Sequence, residues 1–399
     1  MSEVRHVPGV DAVVVAAGSS TRFGGDKLFT PLLGVPLLTH AIRSIAHAPV
    51  RRLVIVGRPG DMARLRQCAR KAAVPAGIAV TFTNGGATRA ESVRAGVIAL
   101  CGEHAAEVLQ AEDDRIILIH DGARPTFDRQ LIRRLIRGLD TADVAVPAIP
   151  VVDSLRRSRA GVTTAVDRSD LFTVQTPQAC RLSTLLKAYA SLPMVDSYKD
   201  EASLVEAAGG SVMLVGGDAD NVKVTTRSDL QRAEAAIVHG TRPVVGFGYD
   251  VHRFAAGRRL VLAGVDISAD FGLEGTSDAD AVLHALMDAL LGCAGRKDIG
   301  SLFPASDPES QGADSTVLLR RVLRERGVNV LLLTNVDVTI VAEVPRLAPY
   351  QDQMRRAIAR ALSVPLSRVD VKVTGNDGIG WIGRAEGIAA MCVVTALRH

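Results

Sequence analysis

The chain has 399 residues, 47% of them hydrophobic and 23% charged, with a formal net charge of +4. That length exceeds what one hydrophobic core usually serves, so two domains are expected, and the composition excludes a disordered or fibrous chain. An aromatic content of 4% is too low for the stacking platforms of a single-strand nucleic-acid binder, and the mild positive charge suits small anionic substrates better.

No apolar run is long enough to span a bilayer, and the N-terminal MSEVRHVPGV has no signal-peptide core. A cytoplasmic location, without membrane or nucleic-acid partners, is the expectation. The five cysteines (Cys68, Cys101, Cys180, Cys293, Cys392) are scattered and never spaced C-x-x-C. They read as reduced thiols packed as small hydrophobes.

The first chemical signal is the stretch DAVVVAAGSSTRFGGDK, Asp11 to Lys27. Val13, Val14 and Val15 suit a buried strand, and Ala16-Ala17-Gly18 lets the backbone leave it tightly. The loop that follows carries Arg22, Gly24, Gly25 and Lys27, so its N–H groups and fixed charges can face an anion such as a nucleoside triphosphate. Onward to His239, short β-branched runs (13–16, 53–57, 79–82, 116–120, 144–147, 212–215) alternate with amphipathic ones (37–46, 61–72, 90–100, 128–139, 182–190, 230–239). Such alternation predicts an α/β, Rossmann-like domain with a mainly parallel sheet, its ligands outside the carboxyl ends of the strands. Four later pieces carry chemistry. NGGATRAESV puts Gly85 and Gly86 before a helix start, suited to a base or phosphate. HDGARP ends a strand on Asp121, where a carboxylate can hold a divalent cation beside phosphates. VDRSDLFTVQTPQ supplies Arg168, and DNVKVT supplies Lys223. These two lysines and two arginines, with no obvious carboxylate partner, suit a transition state loaded with phosphoryl charge.

In this order, A-A-G-x4-R…K, N-G-G-x-x-R-A-x-S, H-D-x-A-R-P, V-D-R…T-P-Q, D-E-A-S and D-N-x-K-V-T resemble 2-C-methyl-D-erythritol 4-phosphate cytidylyltransferase of the non-mevalonate isoprenoid pathway. The resemblance implies CTP as donor, accompanied by Mg²⁺ or Mn²⁺, and a sugar phosphate as acceptor. It implies that Arg22, Lys27 and Lys223 stabilise the α-phosphate of CTP and that Ala16, Ala17, Gly18, Gly85 and Ser92 bind the nucleotide. Asp121 would hold substrate or metal, and Ser154 and Arg168 the methylerythritol phosphate, Arg168 from a partner subunit. The chain departs from the family at Asp26-Lys27-Leu28, where Pro-Lys-Gln is usual, at Ser154 for Thr, and at Gly122 for Ala.

At Gly240-Thr241-Arg242-Pro243 the alternation stops, which sets domains at 1–240 and 244–399 with 241–243 as the joint. The second part mixes strands (244–251, 259–262, 336–341, 369–373, 388–396) with helices (280–291, 315–326, 346–362), a smaller α+β domain. Asp250-Val251-His252 on a strand puts Asp250 and His252 on one face. The helix beginning at Asp280 spaces Asp280, His284 and Asp288 along one stripe. Two histidines and one aspartate (Asp250, His252, His284) make a set of three metal ligands with a fourth position open. With S-D-A-D, K-D-I-G…F-P, G-A-D-S, N-V-D-V-T-I and G-R-A-E-G-I-A, this part resembles 2-C-methyl-D-erythritol 2,4-cyclodiphosphate synthase. By that resemblance Asp250, His252 and His284 bind Zn²⁺ or another divalent cation. Ser277, Asp298, Arg346, Thr374, Asp377 and Arg384 fall at substrate positions. One phosphate of the substrate attacks the β-phosphate of its CDP group, and CMP leaves. Thr276 stands where His is usual, and Thr374-Gly375-Asn376-Asp377 where Thr-Thr-Thr-Glu is usual.

The two halves together resemble a natural fusion of enzymes for non-consecutive steps, and no segment resembles the intervening kinase, whose association with the chain stays open. The resemblance implies a two-fold contact in the first domain and a trimer in the second, hence a homo-oligomer of six subunits as the smallest closed group with both axes. Two rivals stay open on the residues alone: another sugar-phosphate nucleotidyltransferase, and a second half that is a metal-stabilised, non-catalytic assembly module.

Overall fold

The computed structural model describes residues 9–18, 23–102, 115–192, 198–304, 306–308 and 311–398. Its contacts divide it into two compact units, parted in the sequence between Ile237 and Val238.

The first unit opens with β1 (Val10–Val15), a buried strand, as its valine run requires. Asp11 inside it is tolerated because Arg52 and Arg115 reach it at 2.6 and 3.2 Å. A small hairpin, β2 (Pro31–Leu32) and β3 (Val35–Pro36), leads into α1 (Leu37–Ala46). There follow β4 (Val50–Gly57), α2 (Met62–Lys71), β5 (Ala79–Asn84), α3 (Arg89–Cys101), β6 (Ile116–Asp121) and α4 (Gln130–Gly138). A capping box starts α3, Thr88 accepting from the Glu91 N–H while the Glu91 carboxylate accepts from the Thr88 N–H.

Next come β7 (Val144–Pro150), β8 (Leu155–Arg159), β9 (Val162–Val166), β10 (Phe172–Val174) and β11 (Gln178–Arg181). They are followed by α5 (Leu182–Ser191), α6 (Glu201–Ala207), β12 (Val212–Gly216) and α7 (Arg227–His239). Eight of the strands form one sheet in the order β10-β7-β11-β6-β1-β4-β5, with β12 on β7. Pairing is parallel at β1–β4, β1–β6, β4–β5 and β7–β12, and antiparallel where β11 and β10 enter. The parallel part follows the expected alternation. The hairpin β8–β9 and the strands β10 and β11 were not foreseen. LRRSR and VTTAV lie almost wholly in water and bury no apolar stripe, so no periodicity marks them. With β4 on one side of β1 and β6 on the other, the order in which strands are added reverses there. A crevice opens at their carboxyl ends, where Val15 lies beside Asp121.

In the second unit β13 (Arg242–Ala256) is a long strand paired with the last one from Arg242 to Arg253. It starts two residues before the expected Val244, because Arg242 and Pro243 already lie opposite Arg398 and Leu397. After β14 (Leu260–Leu262), β15 (Val265–Ile267) and β16 (Phe271–Leu273) comes the buried helix α8 (Ala281–Cys293), then α9 (Ile299–Leu302) and α10 (Ser315–Val322). The remainder is β17 (Leu332–Val341), α11 (Gln351–Leu362), β18 (Val369–Thr374), α12 (Gly380–Gly383) and β19 (Gly387–Arg398). The sheet order is β16-β13-β19-β17-β18.

Gly246 and Gly248 let α8 lie directly on β13. A Cβ at those positions would sit 1.8 Å from the Ala289 carbonyl oxygen and 1.9 Å from that of Ala285. The opposite face of β13 leaves Val245, Phe247, Tyr249 and Val251 exposed. All five cysteines are buried free thiols, and no helix among the described residues is long and apolar enough to cross a membrane.

Candidate active sites

In the first unit the crevice at the ends of β1 and β6 holds a cavity of about 310 Å³. Ala17 and Gly18 line one side, with Lys27 and Leu28 from the turn beyond. Gly86, Ala87, Thr88, Arg89 and Ser92 contribute the glycine turn and the start of α3, and Asp121 and Lys223 complete it. Ala16 is buried behind, its N–H donating to Val56 at 2.7 Å. Gly85 also stands behind the wall: a Cβ there would meet Ala17 Cβ and Ser92 Oγ, each at 2.6 Å. The Ser92 hydroxyl donates to the Thr88 carbonyl at 2.8 Å and accepts from the Gly86 N–H at 3.2 Å, so it shapes the glycine turn.

Asp26, which stands where the family has proline, holds the Lys27 loop by other means. Arg58 and Arg64 donate to its two oxygens at 3.2 and 2.5 Å, and the Arg64 guanidinium lies 3.5 Å over the Phe29 ring. Half-exposed pairs of this kind contribute up to about 1 kcal/mol each.

Lys223 was expected to lack a carboxylate partner; instead its Nζ lies 2.7 Å from Asp121 Oδ2. Sequence spacing could not reveal this, because β6 and the segment carrying Lys223 are about a hundred residues apart and meet only through the sheet. The second Asp121 oxygen accepts from Arg89 Nε at 3.0 Å, and Arg89 forks onto Glu201 at 2.9 and 3.1 Å. Burial by itself would raise the Asp121 carboxyl, but Arg89 and Lys223 outweigh it and hold it well below the usual carboxylate range. Beneath, the Asp121 N–H donates to Thr176 Oγ1 at 3.0 Å, and His120 contacts that hydroxyl through Nδ1 at 3.3 Å. Burial pushes the His120 imidazole down to about 4, so it serves neutral, as a packed support.

Arg89, Glu201, Thr176 and His120 were missed as site residues. Each stands inside a quoted motif, so the signal was present as residue type without a role. Arg22 lies outside the described residues. Ser154 and Arg168 flank the exposed β8–β9 hairpin, where the Arg168 guanidinium donates to the Val152 carbonyl, and neither lines this cavity.

In the second unit Asp250 and His252 project from one face of β13 and meet His284 from α8. Asp250 Oδ2 lies 2.9 Å from His252 Nε2 and 3.0 Å from His284 Nδ1, and the two ring nitrogens are 3.3 Å apart. Ligand atoms on a tetrahedral ion with bonds of about 2.0–2.1 Å lie roughly 3.3 Å apart, so the three converge as such an ion requires. The far nitrogens are held in the matching tautomer. His252 Nδ1 faces the Glu274 carbonyl at 2.7 Å, and His284 Nε2 faces the Ser277 and Ser315 hydroxyls at 3.2 and 3.1 Å. Ser315 is fixed in turn by its hydroxyl and N–H donating to Asp278. The donor set therefore fits a divalent cation.

Asp280 and Asp288, on the same helix stripe, are engaged elsewhere. Asp280 caps α8, accepting from the N–H groups of Val282, Leu283, Ala263 and Gly264, and Asp288 accepts from Ile299.

The remaining expected residues lie on other elements of this unit. Asp298 caps α9 through the Ser301 N–H, Arg384 pairs with Glu386 at 2.6 Å, and Arg346 is exposed. Thr374 ends β18, in register with Val341, then Ala389, then Val251 across the sheet. Three strand spacings, about 14 Å, therefore part it from the metal ligands. Asp377 follows in a left-handed turn (φ 50°), which Glu343 braces by accepting from the Asn376 and Gly378 N–H groups.

Residues 10–239 match the family 2-C-methyl-D-erythritol 4-phosphate cytidylyltransferase, and residues 244–397 match the YgbB family. The bifunctional enzyme IspD/IspF of Maricaulis maris is 42% identical over 397 residues, covering 97% of this chain and 98% of its own. The Rhodospirillum rubrum protein of the same description is 40% identical over 388 residues, covering 96% and 97%. A solved structure, the bifunctional IspDF from Campylobacter jejuni, is 29% identical, covers 98% of this chain and 99% of its own, and aligns with a TM-score of 0.44.

Proposed function

The chain belongs to the bifunctional IspD/IspF enzymes of isoprenoid synthesis, a cytidylyltransferase followed by a cyclodiphosphate synthase, and from that premise we propose how its residues divide the two reactions. In the first, an oxygen of the methylerythritol phosphate attacks the α-phosphorus of CTP and pyrophosphate leaves. Lys27 and Lys223, with Arg22, neutralise the charge gathering on the phosphoryl oxygens. Ala17, Gly18, Gly85 and Ser92 shape the nucleotide seat. Asp121 receives the substrate or the Mg²⁺ or Mn²⁺ that accompanies CTP, for which Lys223 must exchange its carboxylate for phosphate. Ser154 and Arg168 serve the acceptor, and their exposure away from the cavity supports completion of the site by a second copy of the chain.

In the second reaction one phosphate of the substrate attacks the β-phosphorus of the CDP group, forming the ring diphosphate and expelling CMP. Asp250, His252 and His284 would hold a divalent cation, zinc by the chemistry of two imidazoles and a carboxylate, and such an ion would supply Lewis acidity for phosphoryl transfer. Ser277, Asp298, Arg346, Thr374, Asp377 and Arg384 bind substrate. The distance of about 14 Å between Thr374 and the metal ligands, too far for one phosphate group, supports a site shared between subunits. The exposed apolar face of β13 supports the same self-association, and the cytoplasm is the proposed location; no helix among the described residues is long and apolar enough to cross a membrane.

The observation that carries the reading is the pair of separate sites, a cation-lined cavity at the β1–β6 crevice and a three-ligand cluster on β13 and α8. Product analysis tests it. CTP with methylerythritol phosphate must yield pyrophosphate, and the phosphorylated CDP-methylerythritol must yield CMP. Retention of that second substrate without CMP release would instead make the second half a binding module.

A further inference from the structure

Glu201 is 3% exposed at the first turn of α6, behind the cavity wall and absent from its lining. A carboxylate so buried requires a partner, and both of its oxygens have one in the Arg89 fork, at 2.9 and 3.1 Å. The third guanidinium nitrogen of Arg89 donates to Asp121 at 3.0 Å, while Lys223 holds the other Asp121 oxygen at 2.7 Å. One planar group thus ties the carboxylate on the cavity wall to a carboxylate anchored behind it. The four charges sum to zero.

We propose that Glu201 is a positioning residue for cytidylyl transfer: it anchors the Arg89 fork that aims Asp121 into the cavity, and its charge offsets one of the two cations gathered on Asp121. The proposal rests on reading the first half as a cytidylyltransferase. Without the Glu201 charge, as in Glu201→Gln, the cluster carries a net positive charge, one of the two guanidinium nitrogens on that side chain faces an amide N–H₂ in place of an acceptor, and Arg89 turns toward Asp121 or the incoming triphosphate. An anionic nucleotide then binds at least as tightly, but its α-phosphorus is no longer held in line. Turnover falls while nucleotide affinity does not, a separation that loss of fold would not produce.

The experiment uses the full chain carrying Glu201→Gln, with pyrophosphate release measured against CTP and methylerythritol phosphate and CTP binding measured by calorimetry. The expected result is a kcat lower by about 10- to 100-fold, the cost of a misplacement near 1 Å, with CTP affinity unchanged or tighter. Glu201→Asp, which keeps the charge, is expected to recover turnover above Glu201→Gln. An unchanged kcat, or a joint loss of kcat and CTP binding in a folded chain, overturns the proposal. If Glu201→Gln does not fold, Arg89→Lys carries the test, since it keeps the charge and loses the fork: the same split supports the proposal and unchanged kinetics overturn it. The unaltered chain is assayed alongside. Absence of pyrophosphate release there overturns the cytidylyltransferase reading itself, whereas release there with no effect of the substitutions overturns only the role of Glu201.

Discussion

Gly248→Ala is the sharpest test of how the second unit is built. The added methyl would lie 1.9 Å from the Ala285 carbonyl oxygen, 2.8 Å from its carbon and 3.0 Å from the Ala289 nitrogen. Ordinary contact begins near 3.4 Å, so helix and strand must part by about 1.5 Å, and the obstructing atoms are backbone that no rotamer can move aside. Overpacking in a core costs about 1–3 kcal/mol, and a backbone clash belongs at the upper end. For a domain of this size, about 3 kcal/mol lowers the melting temperature by roughly 6–12 °C. The same displacement carries His284, next to Ala285 on α8, away from Asp250 and His252 on β13, so metal affinity falls by about 10- to 100-fold, the usual cost of disturbing a ligand's support. Scanning calorimetry and metal content after dialysis measure both effects, with pyrophosphate release as the internal control. An unchanged melting temperature with full metal content would refute the account of α8 seated on the glycines.

Lys27→Ala is expected to lower pyrophosphate release by roughly two to three orders of magnitude, the scale of losing one preorganised charge partner; steady-state kinetics with CTP check it. His284→Ala is expected to abolish CMP release and metal retention while cytidylyl transfer stays largely intact, and equal loss of both activities in a folded variant would contradict independent units. Light scattering at micromolar concentration is expected to return the mass of six chains, since the two-fold and three-fold contacts that the resemblance implies must both be satisfied in one closed assembly. A stable dimer or trimer with both activities would contradict it.

The parallel half of the first sheet was legible because buried strands and amphipathic helices leave opposite periodicities in the sequence. The β8–β9 hairpin was not, because strands without a buried face leave none. At the sites, residue type at a strand end was enough to mark Asp121, and the D-V-H alternation was enough to mark Asp250 and His252. The partner of Lys223 was not readable, since the sheet order brings it to Asp121 across about a hundred residues of chain. Glu201 was hidden for a related reason: an acidic residue at a helix start has the appearance of a cap, and only tertiary packing shows it closing on Arg89. The loop at Asp26 shows a different limit. Its departure from Pro-Lys-Gln was readable, but the contacts of Arg58 and Arg64 that hold Asp26, from the turn before α2 and from α2 itself, were not.

Asp280 accepts four backbone N–H bonds, two from its own helix and two from the turn after β14, and so fixes where α8 begins. His284 stands one turn along, braced by Ser277 and Ser315, and His252 leans on the Glu274 carbonyl. Each ligand is therefore aimed by protein alone, before any ion arrives. Coordination then has little chain to order, and the cation is a passenger in a finished frame where a zinc finger would need it as a fastener. Stripped of metal, the domain is expected to keep its fold, with the ligand side chains still converging on an open site.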